Sequence, residues 1–537
     1  MAKLTGGQVL VNCLESNGVK IVFGMPGVNV LHIYDALRDS SIRHILVRHE
    51  QSAAFMADAY ARVTGKPGVC LTTAGPGLTN AITGMATAYA DSIPVLVLAG
   101  EISSSLIGKR KGVLHETDQT SLLRPVTKRS VCVLNAADIP KIVSQGFQDL
   151  TNGRPRPVYV GLPDDIVEST VNLQRPGQTG RGKKAQVEHV ESIEAAVRLL
   201  SRSRSPIILA GGGVVSANAS LELVEIAESL TAPVVTTVMG AGSIAGDHPL
   251  FLARSRTPKV VDEIFKKADV MLAVGTRFSS LSMSHWALKV PKNLIHIDVD
   301  PEVIGRNYRP RIGIRGDAKS VLQQISNRLR SKPQADRSHW KKTAEALKAS
   351  EWKKLESSHP TEVKIVMDIR AALKRDAIVA ADTTILSYWM QRIFPIYEPR
   401  TFLYSFGYAA MGYGLPAAMA SKIAFPERQV LAVCGDGGFT LSCQDLATAV
   451  ENHVNIPIVL HNNGGFGILR HIQKTRFRQR YIAVDLRNPD FVKFAESFGA
   501  QGIRVEAPEE IAPILRETLR ADQPTIIDFS VSLNPPP

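Results

Sequence analysis

Residues 434–467 read CGDGGFTLSCQDLATAVENHVNIPIVLHNNGGFG, and the alternation of apolar runs with glycine turns inside them decides the fold. The apolar run Gln429 to Cys434 breaks into the turn Gly435-Asp436-Gly437-Gly438, and apolar periodicity then predicts a helix through about Val450. A second run, Ile456 to Leu460, delivers Asn462-Asn463 and another glycine-rich turn. The order is strand, turn, helix, strand, turn. In a parallel sheet both turns fall at the carboxyl ends of neighbouring strands, where open α/β sheets bind ligands. Asp436 and Asn463 are therefore expected to converge although 27 positions separate them.

An Asp carboxylate, an Asn amide oxygen and a free backbone carbonyl are hard donors of the kind that hold Mg²⁺, which completes its shell with water and phosphate oxygens. The glycines let the backbone approach such a phosphate, and the helix after Gly438 is expected to point its positive end at it. A lone GDG turn is also an ordinary turn. GDG, then 24 residues, then NN is much more specific. The stretch resembles the diphosphate-binding motif of thiamine diphosphate (ThDP) enzymes, and nearly the whole chain resembles the acetolactate synthase and 2-oxo acid decarboxylase superfamily. The resemblance implies that Asp436, the Asn463 side chain and the Gly465 carbonyl hold Mg²⁺. It also implies that Gly435, Gly437 and Gly438 lie against the diphosphate.

At 537 residues the chain has room for roughly three domains of ~150 residues. No apolar run approaches a membrane span, and MAKLTGGQVL lacks a signal-peptide core, so a cytoplasmic protein without a membrane partner is expected. Five cysteines, at 13, 70, 132, 434 and 443, show neither CxxC nor metal spacing and read as reduced thiols. The net charge of +13 is spread along the chain without aromatic interleaving, which argues against nucleic acid.

Strand and helix patterns alternate from the start. Val19–Phe23, Ile45–Val47, Gly68–Thr72 and Pro94–Ala99 read as strands, with a helix over Ser52–Val63. MATA before IPVL at 85–96 is echoed by LATA before IPIV at 446–459, each after a glycine turn, which points to two copies of one α/β fold. The predicted architecture is α/β, with three doubly wound parallel-sheet domains. By resemblance these are a pyrimidine-binding domain at 1–170, a middle nucleotide-binding-like domain at 190–330 and a diphosphate-binding domain at 360–537. The polar stretch Gln174–Gln186 reads as a linker. ThDP enzymes generally build their sites across a subunit interface, so a homodimer or homotetramer is implied.

Glu50 stands at a strand-to-helix junction, where a glutamate is ordinarily a solvated first-turn charge. Within RHEQSAAFMADAYARVTG it matches the family's catalytic glutamate, which hydrogen-bonds the aminopyrimidine so that the C2 ylid forms. Gly75, Pro76 and Asn80, in TTAGPGLTN, then belong to the cofactor site, as do Thr383, Thr384 and Met411 in the last domain. On composition alone Met411 reads as core. Counting back from Arg124-Pro125-Val126 puts His115 where acetolactate synthases carry a glutamine. A histidine there is either structural or a proton relay near neutral pH.

Several departures bear on the reaction. Asp164 stands where synthases usually have lysine, and Ile472 where some have tryptophan. The middle domain keeps Gly211-Gly212-Gly213, Gly275-Thr276-Arg277-Phe278 and Ile297-Asp298-Val299-Asp300 but lacks the family's GMHG segment, so FAD or another nucleotide is left open there. The basic run Arg470 to Arg480 reads as an anion-facing element or a solvated helix face. The expected activity is decarboxylation of a small-molecule 2-oxo acid substrate, through ylid and enamine, to an aldehyde. The alternative is acetolactate-type carboligation to a second 2-oxo acid. A non-catalytic cofactor-binding subunit would be expected to have lost Glu50 or a metal ligand, and both are present.

Overall fold

The computed structural model describes residues 3–172, 190–333 and 335–537; the linker expected at Gln174–Gln186 lies outside them. The first unit carries β1 (Lys3–Thr5), β2 (Ile21–Gly24), β3 (Arg43–Leu46), β4 (Gly68–Thr72), β5 (Val95–Glu101), β6 (Arg129–Cys132), β7 (Val158–Pro163) and β8 (Thr170–Asn172). Six of these form a parallel sheet in the order β3-β2-β4-β5-β7-β6, while β1 and β8 pair antiparallel. The middle unit carries β9 (Pro206–Ala210), β10 (Val234–Thr236), β11 (Phe251–Arg254), β12 (Val270–Val274), β13 (Asn293–Asp298) and β14 (Ile312–Arg315), in the order β11-β10-β9-β12-β13-β14. The last unit carries β15 (Ile378–Ala381), β16 (Phe402–Tyr404), β17 (Val430–Gly435), β18 (Pro457–His461), β19 (Gln501–Val505) and β20 (Thr525–Phe529), in the order β16-β15-β17-β18-β20-β19.

The inner strands β4, β5, β7, β12, β17, β18 and β20 are buried at every position, as continuous apolar runs covered by helices on both faces must be. Counted within their own units, the first and last sheets share one strand order, 2-1-3-4-6-5. The echo between 85–96 and 446–459 falls on the corresponding fourth strands, β5 and β18. The middle sheet instead runs 3-2-1-4-5-6, the order of dinucleotide-binding folds. Each order fixes where neighbouring strands diverge to opposite sides and leave a crevice. Those points are β2/β4, β9/β12 and β15/β17.

The helix predicted from Gly438 to about Val450 is instead three short pieces: Asp436–Phe439, a 3₁₀ turn at Cys443–Asp445, and Leu446–Glu451. Backbone bonds from Leu441 to Gly438 and from Ser442 to Phe439 tighten the chain to i→i−3 spacing. Asp445 meanwhile accepts from the Arg48 amide at 2.7 Å and from Thr448 Oγ1 at 3.0 Å. Leu446 and Ala449 still reach the core, so the apolar pattern survives without a continuous helix. What the turn offers a ligand is one helical turn, in which the Gly437 amide already donates to Asp436 Oδ1 at 3.0 Å, not a long helix's dipole.

The first and last units share one apolar core, in which helix Glu50–Thr64 packs on helix Gly414–Ala424. Phe55 and Tyr413 meet edge to face, with ring centroids 5.4 Å apart. Beside them Arg62 is buried between two acids, 2.6 Å from Asp58 and 3.0 Å from Asp91. Tyr413 donates to Asp58 at 2.9 Å, and Asp91 accepts the amides of Phe406 and Gly407. Burial pushes the Asp58 carboxyl upward against the pull of Arg62. Removing the cation alone strands two buried acids, so Arg62→Met is expected to cost about 3–5 kcal/mol. Urea unfolding of the variant beside wild type checks this.

Candidate active site

At the β15/β17 crevice, β17 ends in Gly435 and the chain turns through Asp436 directly into the site. Asp436 is 2% exposed, and its Oδ2 accepts the Gly465 amide at 2.8 Å, so the turns after β17 and β18 meet as their spacing predicts. Asn488, which spacing did not single out, donates to Asp436 Oδ2 at 2.7 Å and to Asn462 Oδ1 at 3.0 Å. Among the described residues, Asn463 Oδ1 is buried and meets no hydrogen-bond donor. An amide oxygen in that condition beside a buried carboxylate is what a hard cation satisfies, so the donor set fits Mg²⁺. The described residues contain no cluster of three His, Cys, Asp or Glu with metal geometry, and Asp436, Asn463 and the Gly465 carbonyl would leave half of an octahedral shell to phosphate and water.

Close packing fixes the glycines. A Cβ on Gly438 would stand 2.9 Å from Asp382 Oδ2, one on Gly437 2.6 Å from Phe466, and one on Gly435 3.0 Å from Thr384. Asp382, at the end of β15, accepts the amides of Thr383 at 2.6 Å and Gly412 at 3.0 Å. Burial outweighs those bonds and pushes its carboxyl up to about 6. Thr383 Oγ1 lies 3.3 Å from the Ala409 carbonyl, and Thr384 Oγ1 lies 3.3 Å from His461. Met411, half-buried, precedes Gly412, which holds φ +83°.

At the β2/β4 crevice Glu50 opens helix Glu50–Thr64 and is 3% exposed, which removes the reading of a solvated cap. Its Oε2 accepts from Asn80 Nδ2 at 3.0 Å, and a Cβ on Gly77 would come 3.2 Å from its Oε1. Gly75 sits at φ +60° and ψ −111°, which suits only glycine, and Pro76 starts the helix Pro76–Asp91. The Gly75 amide donates to Gln119 Oε1 at 2.6 Å, and Gln119 Nε2 donates to the Gly100 carbonyl and Tyr159. His115, half-buried at φ +66°, stands over this turn: a Cβ on Gly75 would lie 3.0 Å from the His115 Cβ. Its Nδ1 is 3.2 Å from Asn29 Oδ1.

Two groups thus form within one chain, Glu50 with Gly75, Pro76, Asn80 and His115, and Asp436 with Asn463 and Gly465. No hydrogen bond among the described residues joins one group to the other. Glu50's chain neighbours do touch the last unit: the Arg48 amide reaches Asp445, and Gln51 Nε2 would lie 3.4 Å from a Cβ on Gly412. Arg470 is tied to Asp485 and to the carbonyls of Asn463 and Gly464, so it braces the turn after β18. Asn29, Gln119, Asp382 and Asn488 were not anticipated, because each acts through contacts far apart in sequence.

The β9/β12 crevice opens into a cavity of about 290 Å³ where all three units meet. Gly212, Gly213, Gly275, Thr276, Arg277 and Asp298 line its middle-unit side, with Arg154 and Arg400 from the other two. Arg154 lies 3.6 Å from Asp300. Burial pushes the Asp298 carboxyl from its ordinary 3.8 up to about 6, against opposing pulls from backbone amides and Arg154. A raised carboxyl means that the folded protein binds more protons than the unfolded chain between these values, so stability falls as pH rises through them. Asp298→Asn removes that loss. The melting-temperature advantage of the variant over wild type is expected to grow from about pH 4 to about pH 7.

Family profiles match all three units: the N-terminal TPP binding domain of thiamine pyrophosphate enzymes over residues 4–122, their central domain over 193–325 and their C-terminal TPP binding domain over 382–529. A probable acetolactate synthase large subunit of Methanocaldococcus jannaschii is 37% identical, over 98% of this chain and 92% of its own length. The acetolactate synthase isozyme 3 large subunit of Escherichia coli is 35% identical, over 99% of this chain and 95% of its own. A probable 2-ketoarginine decarboxylase of Pseudomonas aeruginosa is 37% identical, over 96% and 92%.

Proposed function

The chain belongs to the thiamine pyrophosphate enzymes, in the acetolactate synthase superfamily, and is a ThDP- and Mg²⁺-dependent 2-oxo acid decarboxylase or carboligase; from that premise we propose that it decarboxylates a 2-oxo acid and releases an aldehyde. Bound ThDP supplies a carbon nucleophile and then an electron sink for the bond that breaks. Asp436, Asn463 and the Gly465 carbonyl hold the cation that carries its diphosphate. The glycines of the Gly435–Gly438 turn would lie against the diphosphate, and Thr383, Thr384 and Met411 would flank the cofactor. Gly75, Pro76 and Asn80 shape the pyrimidine end, and Glu50, dry and held by Asn80, hydrogen-bonds the aminopyrimidine ring.

The observation that carries the aldehyde reading is His115, seated directly on Gly75. An imidazole there can give a proton to the carbon that has lost CO₂, a step that competes with attack on a second 2-oxo acid. Carboligation is the second reading, favoured by likeness to the synthase large subunits. Product identification by NMR separates them, with protein, ThDP, Mg²⁺ and pyruvate, then longer and basic 2-oxo acids. Aldehyde is expected as the main product; a 2-hydroxy-3-oxo acid overturns the reading.

Completing each site requires a second copy, in a homodimer or homotetramer. Val28 and Leu114, beside Asn29 and His115, are 68% and 78% exposed, as residues awaiting a partner surface would be. Light scattering after gel filtration should give two or four times 58.3 kDa, and a mass of one chain overturns the assembly. The cytoplasm is the compartment that suits five free thiols, and no helix among the described residues is long and apolar enough to cross a membrane. For the middle cavity, the absorption spectrum of the protein and chromatography of any released ligand would distinguish FAD, another nucleotide and a purely structural domain.

A further inference from the structure

We infer that Asn29 is a positioning residue that fixes His115 in its Nδ1–H tautomer, leaving Nε2 as the atom that takes and gives the proton. The inference rests on the reading of His115 just proposed and deepens it. Asn29 is 7% exposed, in the 3₁₀ turn after β2, and its amide is oriented by its surroundings. Its Nδ2 donates to the backbone carbonyl of Glu101 at 3.4 Å, and a carbonyl can only accept. Turned the other way, the amide would set oxygen against oxygen in a buried place. Oδ1 therefore faces the opposite side, where Thr73 Oγ1 donates to it at 3.4 Å and His115 Nδ1 lies at 3.2 Å. Two acceptors cannot share a proton that neither carries, so the ring nitrogen facing Asn29 holds the hydrogen.

The backbone supports the same arrangement. A non-glycine residue at φ +66° is uncommon and persists only where its surroundings hold it. Here the Gly75 turn lies beneath the His115 Cβ, and Gln119 anchors that turn through the Gly75 amide. With Nδ1 committed to Asn29, only Nε2 is left to exchange protons. The imidazolium gives its Nε2 proton to the decarboxylated carbon, is left as the neutral Nδ1–H form, and regains a proton from water. A free neutral histidine in water favours the other tautomer, Nε2–H, so without Asn29 the ring would turn its donor and acceptor around.

The test reads the tautomer itself on apo protein, by long-range ¹⁵N–¹H correlation with ring-labelled histidine. The His115 signals are identified among those of the 13 histidines by their loss in His115→Gln. The expected wild-type pattern is pyrrole-type Nδ1 and pyridine-type Nε2, kept in Asn29→Asp and shifted towards Nε2–H in Asn29→Ala. An Nε2–H pattern in wild type overturns the inference. Turnover provides an independent arm with the ThDP-loaded enzyme. Asn29→Ala should lower aldehyde release roughly 10²-fold with KM little changed, and Asn29→Asp should rescue it. In the His115→Gln background Asn29→Ala should cost nothing more, because both act on one proton. A further loss in that background would assign Asn29 a purely structural role and overturn the inference. Full aldehyde release by His115→Gln would sink the proposed role of His115, whereas the tautomer spectrum judges Asn29 separately.

Discussion

Glu50→Gln is expected to bind ThDP and Mg²⁺ nearly as wild type does and to lose turnover by roughly 10²–10⁴-fold. The two parts of the expectation have separate grounds. Binding rests on the last unit, where Asp436, Asn463 and the glycine turn stand apart from Glu50, with no hydrogen bond between the groups among the described residues. Turnover rests on a carboxylate that can share a proton with the aminopyrimidine, which a carboxamide of the same shape cannot do. Folding should be spared, because Asn80 Nδ2 can donate to a glutamine Oε1 as it does to Glu50 Oε2. Steady-state rates with titration calorimetry for ThDP decide the matter. Near-normal turnover in the variant would sink the proposed role of Glu50.

Asp436→Ala should behave in the opposite way, losing the cofactor before it loses anything else. Asp436 contributes the formal charge among the three proposed ligands, and its Oδ2 also anchors Gly465 and Asn488. Truncation therefore removes one ligand and loosens the turn that presents another. Apparent affinity for ThDP in Mg²⁺ should fall by at least roughly 10²-fold, more than disturbing an outer hydrogen bond normally costs. Asn463→Ala should show a smaller loss in the same assay, since a neutral donor is removed and the carboxylate remains. Wild-type affinity in Asp436→Ala would place the cation elsewhere.

The meeting of the turns after β17 and β18 could be read from the sequence because its signals are local. GDG and NN stand at the ends of two apolar runs, and parallel strands bring such ends together whatever lies between. Gly75-Pro76 likewise announces a tight turn entering a helix. Glu50 is harder to read, because its burial depends on Asn80 and Gly77 from another element, and its own neighbourhood reads by default as a surface cap. Asn488 lies before a proline and reads as an ordinary turn residue, and only the fold carries it to Asp436. The continuous helix after Gly438 was misread for a related reason. Residues such as Leu446 and Ala449 face the core in either case, and apolar periodicity does not register that Asp445 is drawn to the first unit.

The shared strand order of the first and last sheets has a consequence for stoichiometry. The turn after the third strand of the first sheet carries Gly75 and Pro76; its counterpart after the third strand of the last carries Gly435 and Asp436. One architectural corner thus occurs twice per chain, and the turn itself carries an acid, Asp436, in the last unit where the first has Pro76. Had both corners kept the acid, a pair of chains could have loaded four ions. On the proposed ligand set, an assembly of any size is expected to carry one Mg²⁺ and one ThDP per polypeptide, with each chain offering its proposed anchor at one corner and its proposed proton-handling face at the other.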